Sequence, residues 1–189
     1  MCPQTSPFKI FILLLIAALT ALMAAAPSHA AMRTVTGTVT KVSDGDTINV
    51  ITPEQTKLRV RLYGIDAAET HGFDAHSDRI SKAGQPYALE SQKALEDKIK
   101  GREVKLDIID IDKYRRMVCI IWLDGRNINL DMLREGHAEA FIEYLKQPYR
   151  EKFLEAEREA KSAKRGIWAL PGYERPRDFR KRLKASNGE

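Results

Sequence analysis

Three short segments of the sequence combine carboxylates with arginines where predicted strands end. The segments are 44–47, 61–69 and 112–116, and they contain Asp46, Asp66, Glu69, Arg61 and Arg116. Carboxylate oxygens suit hard cations such as Ca²⁺. The planar fork of arginine stays charged and binds two phosphate oxygens at once. Hydrolysis of a phosphodiester by water needs both kinds of group, because charge develops at phosphorus while the water loses a proton.

Each of these residues also has an ordinary interpretation. The Asp44-Gly45 pair is typical of a turn, and a single aspartate such as Asp66 is more often a solvated loop acid than a metal ligand. Arg61 alone is an ordinary exposed strand residue. The order of all five side chains along one stretch of chain is much more specific than any one of them.

Alternating and helical patterns predict the elements that position these segments. Between 57 and 63, Leu58, Val60 and Leu62 face one way, while Arg59, Arg61 and Tyr63 face the other. Strands are predicted at 34–42, 47–51, 57–63, 103–111 and 116–123, helices at 86–100, 129–135 and 148–165, and a loop at 64–84.

This order of elements favours an α+β fold. Five short strands with interleaved helices suit a five-stranded, OB-fold-like β-barrel capped by about three helices. The pattern alone leaves other α+β folds open.

Residues 34–170 resemble the thermonuclease family, the staphylococcal nuclease-like (SNase) domains. The resemblance rests on Asp-Gly-Asp-Thr at 44–47, on the segment from Arg61 to Glu69, and on Asp-Lys-Tyr-Arg-Arg at 112–116. It favours the OB-type barrel among the α+β folds. It implies a Ca²⁺-dependent endonuclease that hydrolyses DNA, RNA or both and leaves 3′-phosphate ends.

The resemblance also implies a role for each site residue. The metal ligands would be Asp46, Asp66 and the backbone carbonyl of Ala67; the catalytic residues would be Arg61, Glu69 and Arg116; and the substrate-binding residues would be Lys113, Tyr114 and Tyr144.

Three positions depart from the family pattern. Ala68 stands where a proline commonly precedes the glutamate, which frees the backbone beside Glu69. Arg115 stands where the family usually has glycine, and a positive φ there would cost about 1 kcal/mol or more. Ile142 replaces an aromatic residue near the nucleotide.

Two other functional classes stay open. Ala68 and Arg115 leave open a nuclease-fold module that binds nucleic acid with weak or no turnover. A third possibility is a structural or protein-interaction domain at the cell surface, which would have no salt-dependent affinity for nucleic acid. We expect a monomer with DNA or RNA as its partner and no stable protein partner.

The first thirty residues are typical of a signal peptide. Lys9 precedes an apolar run at 10–26, and Ser28-His29-Ala30 ends in a small residue suited to cleavage. We expect an exported mature chain, periplasmic or secreted, that begins at Ala31 and is not held at a membrane. The alternative is an uncleaved membrane anchor.

Cleavage would remove one lysine and no acid, lowering the formal net charge from +5 to +4. Domain boundaries are predicted at 1–30 for the signal peptide, 31–170 for the SNase-like domain and 171–189 for a basic, disordered tail. Cys119 would be the single cysteine of the mature chain, so we expect a buried thiol and no internal disulfide.

A group of histidines and acids follows Glu69 in the sequence. His71, Asp74, His76 and Asp78 could hold a second metal ion, but a polar surface loop is the more common outcome for such a group.

Overall fold

The computed structural model describes residues 33–74, 79–82 and 84–186, with backbone alone for 72–74 and 79–82. The predicted signal peptide, residues 1–30, lies outside this part. None of the described helices has the length and apolar character needed to span a membrane.

The described strands agree closely with the alternating patterns of the sequence. They are β1 Arg33–Asp44, β2 Thr47–Ile51, β3 Lys57–Leu62, β4 Ile65–Asp66, β5 Gly72–Asp74, β6 Arg79–Lys82, β7 Glu103–Ile111, β8 Met117–Leu123, β9 Arg126–Asn127 and β10 Glu139–Ala140. The short strands β4, β5 and β6 fall within 64–84, which the sequence predicted as loop.

Five strands close into a barrel. The antiparallel order β3-β2-β1-β7-β8 is completed by a parallel pairing of β3 with β8, in which Arg61 lies opposite Val118. The interior is filled by branched aliphatic side chains that alternate along the strands, including Val39, Ile48 and Val60, all fully buried. The prediction of an α+β, OB-fold-like barrel of five strands is confirmed.

Four α-helices and one 3₁₀ turn cover the barrel in the described residues. They are α1 Ala88–Ile99, α2 Ile128–Arg134, α3 Arg150–Ser162, the 3₁₀ turn Gly166–Ala169 and α4 Pro176–Ser186. The first three correspond to the three predicted helices, shortened by one to three residues at most ends. Helix α2 begins where the Asn127 side chain accepts a hydrogen bond from the Leu130 N–H at 3.1 Å.

The C-terminal segment differs from its prediction. Residues 171–189 were expected to be disordered because of their Pro, Arg and Lys content, yet 176–186 form α4. Phe179 is buried on this helix, and the cation-rich face includes Arg180. Two buried apolar residues, Pro176 and Phe179, and several ion pairs hold a segment whose composition is typical of a disordered chain.

Tyr63 also differs from its prediction. The alternation of β3 placed it with Arg61 on the face away from the core, but its ring is buried against Phe153 of α3 at 6.2 Å between centroids. Its hydroxyl donates to the Tyr144 carbonyl at 3.0 Å and accepts from the Lys146 N–H at 2.8 Å. The chain is therefore covered by α3 just beyond the end of β3, whereas Arg59 on the strand itself stays exposed.

A buried asparagine holds the seam of the barrel. Asn129 of α2 accepts from the Ile121 N–H at 2.9 Å and donates to the carbonyls of Tyr63 and Cys119 at 2.9 and 3.1 Å. Tyr63 follows β3 and Cys119 lies on β8, so one side chain satisfies backbone groups on both sides of the parallel pairing.

We predict that Asn129→Leu lowers the free energy of unfolding by about 2–4 kcal/mol, because buried backbone groups lose their partners. Urea denaturation measures the change. The matched control is Asn127→Ala, two residues earlier, which removes a helix cap and should cost about 1 kcal/mol. Equal losses for the two variants would contradict a special role for Asn129.

Candidate active site

Asp46 is fixed within the turn between β1 and β2. Its N–H donates to Asp44 Oδ1 at 3.0 Å, and its carbonyl accepts from the Leu62 N–H at 2.8 Å. The buried carboxylate accepts from the Thr47 hydroxyl at 2.9 Å and from the Ala67 N–H at 3.2 Å. Asp46 therefore joins the turn to the end of β3 through its backbone carbonyl and to the residue after β4 through its carboxylate.

Position 45, next to Asp46, must be a glycine. A Cβ atom at Gly45 would lie 2.7 Å from the Cβ of Ala67 and 2.8 Å from the Cβ of Ser91, closer than real side chains approach. The turn can therefore approach β4 and α1 only without a side chain at this position. This contact explains the Asp-Gly-Asp order more specifically than turn propensity does.

Arg61 bridges the two buried aspartates. Its Nη1 donates to Asp46 Oδ1 and its Nη2 to Asp66 Oδ1, both at 2.9 Å. The Arg61 side chain is itself only 15% exposed. One guanidinium spans both carboxylates, so the two acids lie within the width of a single fork.

A second arginine approaches from the far end of the chain. Arg180 of α4 donates from Nη1 to Asp66 Oδ1 at 3.0 Å and from Nη2 to Asp66 Oδ2 at 2.7 Å. The same Nη1 donates to Glu69 Oε1 at 2.8 Å. Asp66, the predicted ligand, and Glu69, the predicted base, are therefore joined through Arg180.

Burial perturbs the aspartates strongly. Removal from water raises the pKa of Asp46 to about 7, with the nearby Asp44 carboxylate adding to this rise and Arg61 opposing it. Burial also raises the pKa of Asp66, which hydrogen bonds from Arg180 oppose. The arginines therefore do not fully offset the cost of burying these charges.

Gln85 fixes the backbone of Glu69. The Glu69 N–H donates to Gln85 Oε1 at 2.9 Å, and the Gln85 N–H donates to the Glu69 carbonyl at 2.8 Å. The Gln85 side chain also donates to the Glu174 carbonyl at 3.1 Å. The rigidity that a proline would supply at Ala68 comes here from a pair of hydrogen bonds, and Ala68 itself is buried.

The turn between β7 and β8 positions Arg116. Asp112 accepts from the Arg116 Nε at 2.8 Å and from the N–H groups of Tyr114 and Arg116 at 2.9 and 3.0 Å. Arg115 has φ +62°, the left-handed conformation that the glycine preference at this position anticipates. The turn keeps its shape despite the arginine.

One cavity of about 660 Å³ brings the catalytic candidates together. Its lining includes the predicted catalytic side chains Arg61, Glu69 and Arg116 and the predicted substrate-binding side chains Lys113, Tyr114 and Tyr144, together with Phe141, Lys146 and Arg180. Asp46, Asp66 and Ala67 are buried beneath Arg61 and Arg180. The predicted residues thus divide into a buried acidic floor and a mostly cationic wall.

Two aromatic rings form part of that wall. Phe141 and Tyr144 lie 4.6 Å apart between centroids, and the Arg61 guanidinium lies 5.9 Å from the Phe141 ring. The sequence predicted that this part of the site lacks an aromatic ring, because Ile142 stands where the family has one; Ile142 is partly exposed. Phe141, one residue earlier, supplies the ring instead.

The buried acids suit a hard cation. Asp46 and Asp66 offer carboxylate oxygens alone, lie within one guanidinium of each other, and carry charge that burial penalises. Within the described residues, no three His, Cys, Asp or Glu side chains are grouped as a metal cage. Water, substrate or the Ala67 carbonyl would have to complete a coordination shell.

Two residues of the site, Phe141 and Arg180, were not predicted from the sequence. Phe141 lies one residue before position 142, where the family pattern has its aromatic residue, so a one-residue shift of that pattern would have found it. Arg180 lies 114 residues from Asp66 in a segment whose composition indicates disorder, so no local signal marks it. Of the possible second metal site, His71 is exposed, whereas His76, Asp78 and the Asp74 side chain lie outside the described part.

The fold and site together define a small OB-type barrel with an acid–arginine centre. A family model described as staphylococcal nuclease homologue matches residues 59–170 of the chain. The chain belongs to this family. The matched segment contains Arg61, Asp66, Glu69 and Arg116, while Asp46 and Arg180 lie outside it.

Curated relatives agree with this assignment. The chain is 30% identical over 178 residues to a micrococcal nuclease of Shigella flexneri, covering 89% of this chain and 92% of that protein. It is 30% identical to an uncharacterized endonuclease of Haemophilus influenzae over 146 residues, 77% of this chain and 73% of that protein. A probable staphylococcal-like nuclease of Oryza sativa subsp. japonica is 38% identical over 125 residues, 66% of this chain but only 29% of the rice protein. The chain therefore spans less than a third of the rice relative.

We predict a pH dependence caused by Asp46. The folded protein holds a proton on this residue up to about pH 7, whereas the unfolded chain releases it near 3.8. The folded state binds more protons in this window, so its stability falls as pH rises from about 4 to 7. Thermal unfolding in chelator should show this fall, and Asp46→Asn should reduce its slope. An unchanged slope in the variant would contradict the assignment.

Proposed function

We propose that the protein is an exported, Ca²⁺-dependent nuclease that hydrolyses phosphodiester bonds of DNA, RNA or both and leaves 3′-phosphate ends. The observation that carries this proposal is one cavity lined by Arg61, Glu69 and Arg116, in which Arg61 contacts the buried carboxylates of Asp46 and Asp66. Membership of the staphylococcal nuclease family and the names of its relatives support the same reaction class.

Asp46 and Asp66, with the carbonyl of Ala67, would hold the metal ion. When bound, Ca²⁺ would supply positive charge to an oxygen of the scissile phosphate. Arg61 positions both aspartates, and the Ala67 N–H also holds the Asp46 carboxylate. Two protein carboxylates give a modest affinity, since tight oxygen sites use more ligands.

Glu69 is the base in this proposal. Its backbone is fixed by Gln85 and its carboxylate faces the cavity beside Arg61, so it can accept the proton of an attacking water. Arg61 and Arg116 would stabilise the negative charge on the phosphorus oxygens. Asp112 takes the Nε–H of Arg116, which leaves four guanidinium donors for phosphate.

The wall of the cavity matches a nucleotide strand. Lys113 and Tyr114 would contact a neighbouring phosphate, and the adjacent rings of Phe141 and Tyr144 offer a surface for a base. Stacking of this kind does not depend on base identity, which favours low sequence specificity. Binding should weaken with salt, because cations supply much of the contact.

A nucleic-acid-binding module without turnover is the second candidate. The observation that favours it is the ion pair of Arg180 with Glu69, which engages the base. A glutamate held by an arginine is a weaker proton acceptor until that contact breaks. A substitution at Glu69 separates the two functions.

We predict that Glu69→Gln lowers kcat for cleavage of single-stranded DNA and RNA in Ca²⁺ by about 10²–10⁴-fold, because the general base is lost. Affinity for the same strands, measured in chelator, should stay within a few-fold. The matched control is Glu103→Gln at the exposed start of β7, which should cleave normally. If the unmodified protein leaves both nucleic acids intact with Ca²⁺ but still binds them, the binding-module function is the correct one.

Export is the part of the proposal that rests on residues 1–30. A short positive flank, an apolar run and small residues support cleavage by signal peptidase. The mature protein would act as a monomer outside the cytoplasm. Its single thiol, Cys119, is buried, and burial raises its pKa to about 12, so it should stay unreactive there.

We predict that full-length protein produced in a bacterial host is recovered outside the cytoplasm with Ala31 as its first residue. N-terminal sequencing of the recovered chain measures this. The substitution Ile16→Lys interrupts the apolar run and should keep residues 1–30 attached to the chain. Recovery of the uncleaved, unmodified chain from the membrane fraction would support the anchor instead.

A further inference from the structure

The carboxylate that should bind metal already carries a cation. Both oxygens of Asp66 accept hydrogen bonds from Arg180, and Oδ1 also accepts from Arg61. The side chain of Asp66 is completely buried, while that of Arg180 is 30% exposed. Arg180 thus neutralises the acid from the side of the cavity.

The helix that delivers Arg180 is fixed at several points. Arg175 forms an ion pair with buried Glu139 at 3.0 Å, and Arg177 pairs with Glu143. Phe179, adjacent to Arg180, is only 4% exposed. Because its neighbours are anchored, the guanidinium is delivered to Asp66 by a folded element rather than by a freely moving tail.

A divalent metal ion and the guanidinium of Arg180 cannot both bind Asp66 favourably. A divalent ion on Asp46 and Asp66 would lie beside the guanidiniums of Arg61 and Arg180, and like charges at such distances repel in a buried setting. Arg61 is the harder of the two to move, because it reaches both aspartates from strand β3. Of the three acids Asp46, Asp66 and Glu69, Arg180 contacts the last two, and its side chain is more exposed than that of Arg61.

We propose that Arg180 is an internal cation that competes with the divalent metal ion for Asp66, so that metal binding requires Arg180 to withdraw. Withdrawal also breaks the hydrogen bond from Arg180 to Glu69, since one Nη1 atom donates to both acids. The C-terminal helix therefore couples metal binding to the loss of an arginine contact at Glu69. This inference rests on the proposed function, because it assumes that Asp46 and Asp66 bind a divalent ion.

Calorimetric titration with Ca²⁺ in the absence of nucleic acid tests the competition. Arg180→Gln should bind Ca²⁺ about tenfold more tightly than the unmodified protein if Arg180 withdraws about a tenth of the time. Arg180→Lys should fall between them, because an ammonium cannot span both Asp66 oxygens and Glu69. Lys184→Gln, which removes the same charge from an exposed site on the same helix, should leave the dissociation constant unchanged.

A second measurement covers the case in which Arg180→Gln folds poorly. The rise in unfolding temperature caused by Ca²⁺ should be larger in Arg180→Lys than in the unmodified protein. Adding Asp66→Asn to either background should abolish the rise, since the contested carboxylate is gone.

The outcomes separate this inference from the proposed function. Equal or weaker Ca²⁺ binding by both Arg180 variants, in a protein that cleaves nucleic acid with Ca²⁺, overturns the competition alone and makes Arg180 a substrate or support residue. Absence of both Ca²⁺ binding and cleavage in every variant overturns both proposals. Tighter binding in the order Gln, Lys, Arg supports the competition.

Discussion

The shared burial of Asp46 and Asp66 is the constraint on which the rest of the site depends. Two carboxylates removed from water repel each other and favour their neutral forms unless cations offset the charge. Arg61 supplies that offset with one fork, and in doing so it joins the β1–β2 turn to the end of β3 and the start of β4. The geometry of the acids is therefore a property of the barrel end rather than of a flexible loop.

Closure of the barrel extends this order to the second arginine. The parallel pairing of β3 with β8 sets Arg61 opposite Val118, two residues beyond Arg116. The cation wall thus forms only when the strands far apart in sequence have paired. Asn129 stabilises that pairing from outside the sheet by satisfying backbone groups of both sides, so a polar residue of α2 supports a site that it does not contact.

Most of the barrel, but only part of the site, could be predicted from the sequence. Strand limits followed from alternating side chains, and the positive φ of Arg115 followed from a glycine preference at a tight turn. Tyr63 was misplaced because alternation cannot show that β3 ends at Leu62 and that α3 packs against the next residue. Arg180 was missed for a related reason. Its contacts are electrostatic and distant in sequence, and composition of a basic segment says nothing of the buried acids that could order it.

Buried acids also hold the C-terminal segment in place. Asp66 and Glu139 are buried beside each other on the paired strands β4 and β10. In the C-terminal segment, Arg180 forms an ion pair with Asp66 and Arg175 forms one with Glu139. The ion pairs of Arg180 and Arg175 both use an acid whose charge burial has made costly to leave unpaired. A divalent ion at the aspartates, as we propose, would offset this charge more strongly because it carries twice the charge. Arg180 would then interact less favourably with Asp66, whereas Arg175 would keep its ion pair with Glu139. The segment can thus lose its contact with the site while its anchor at Glu139 remains, which is the arrangement expected of a local exchange of cations rather than of unfolding.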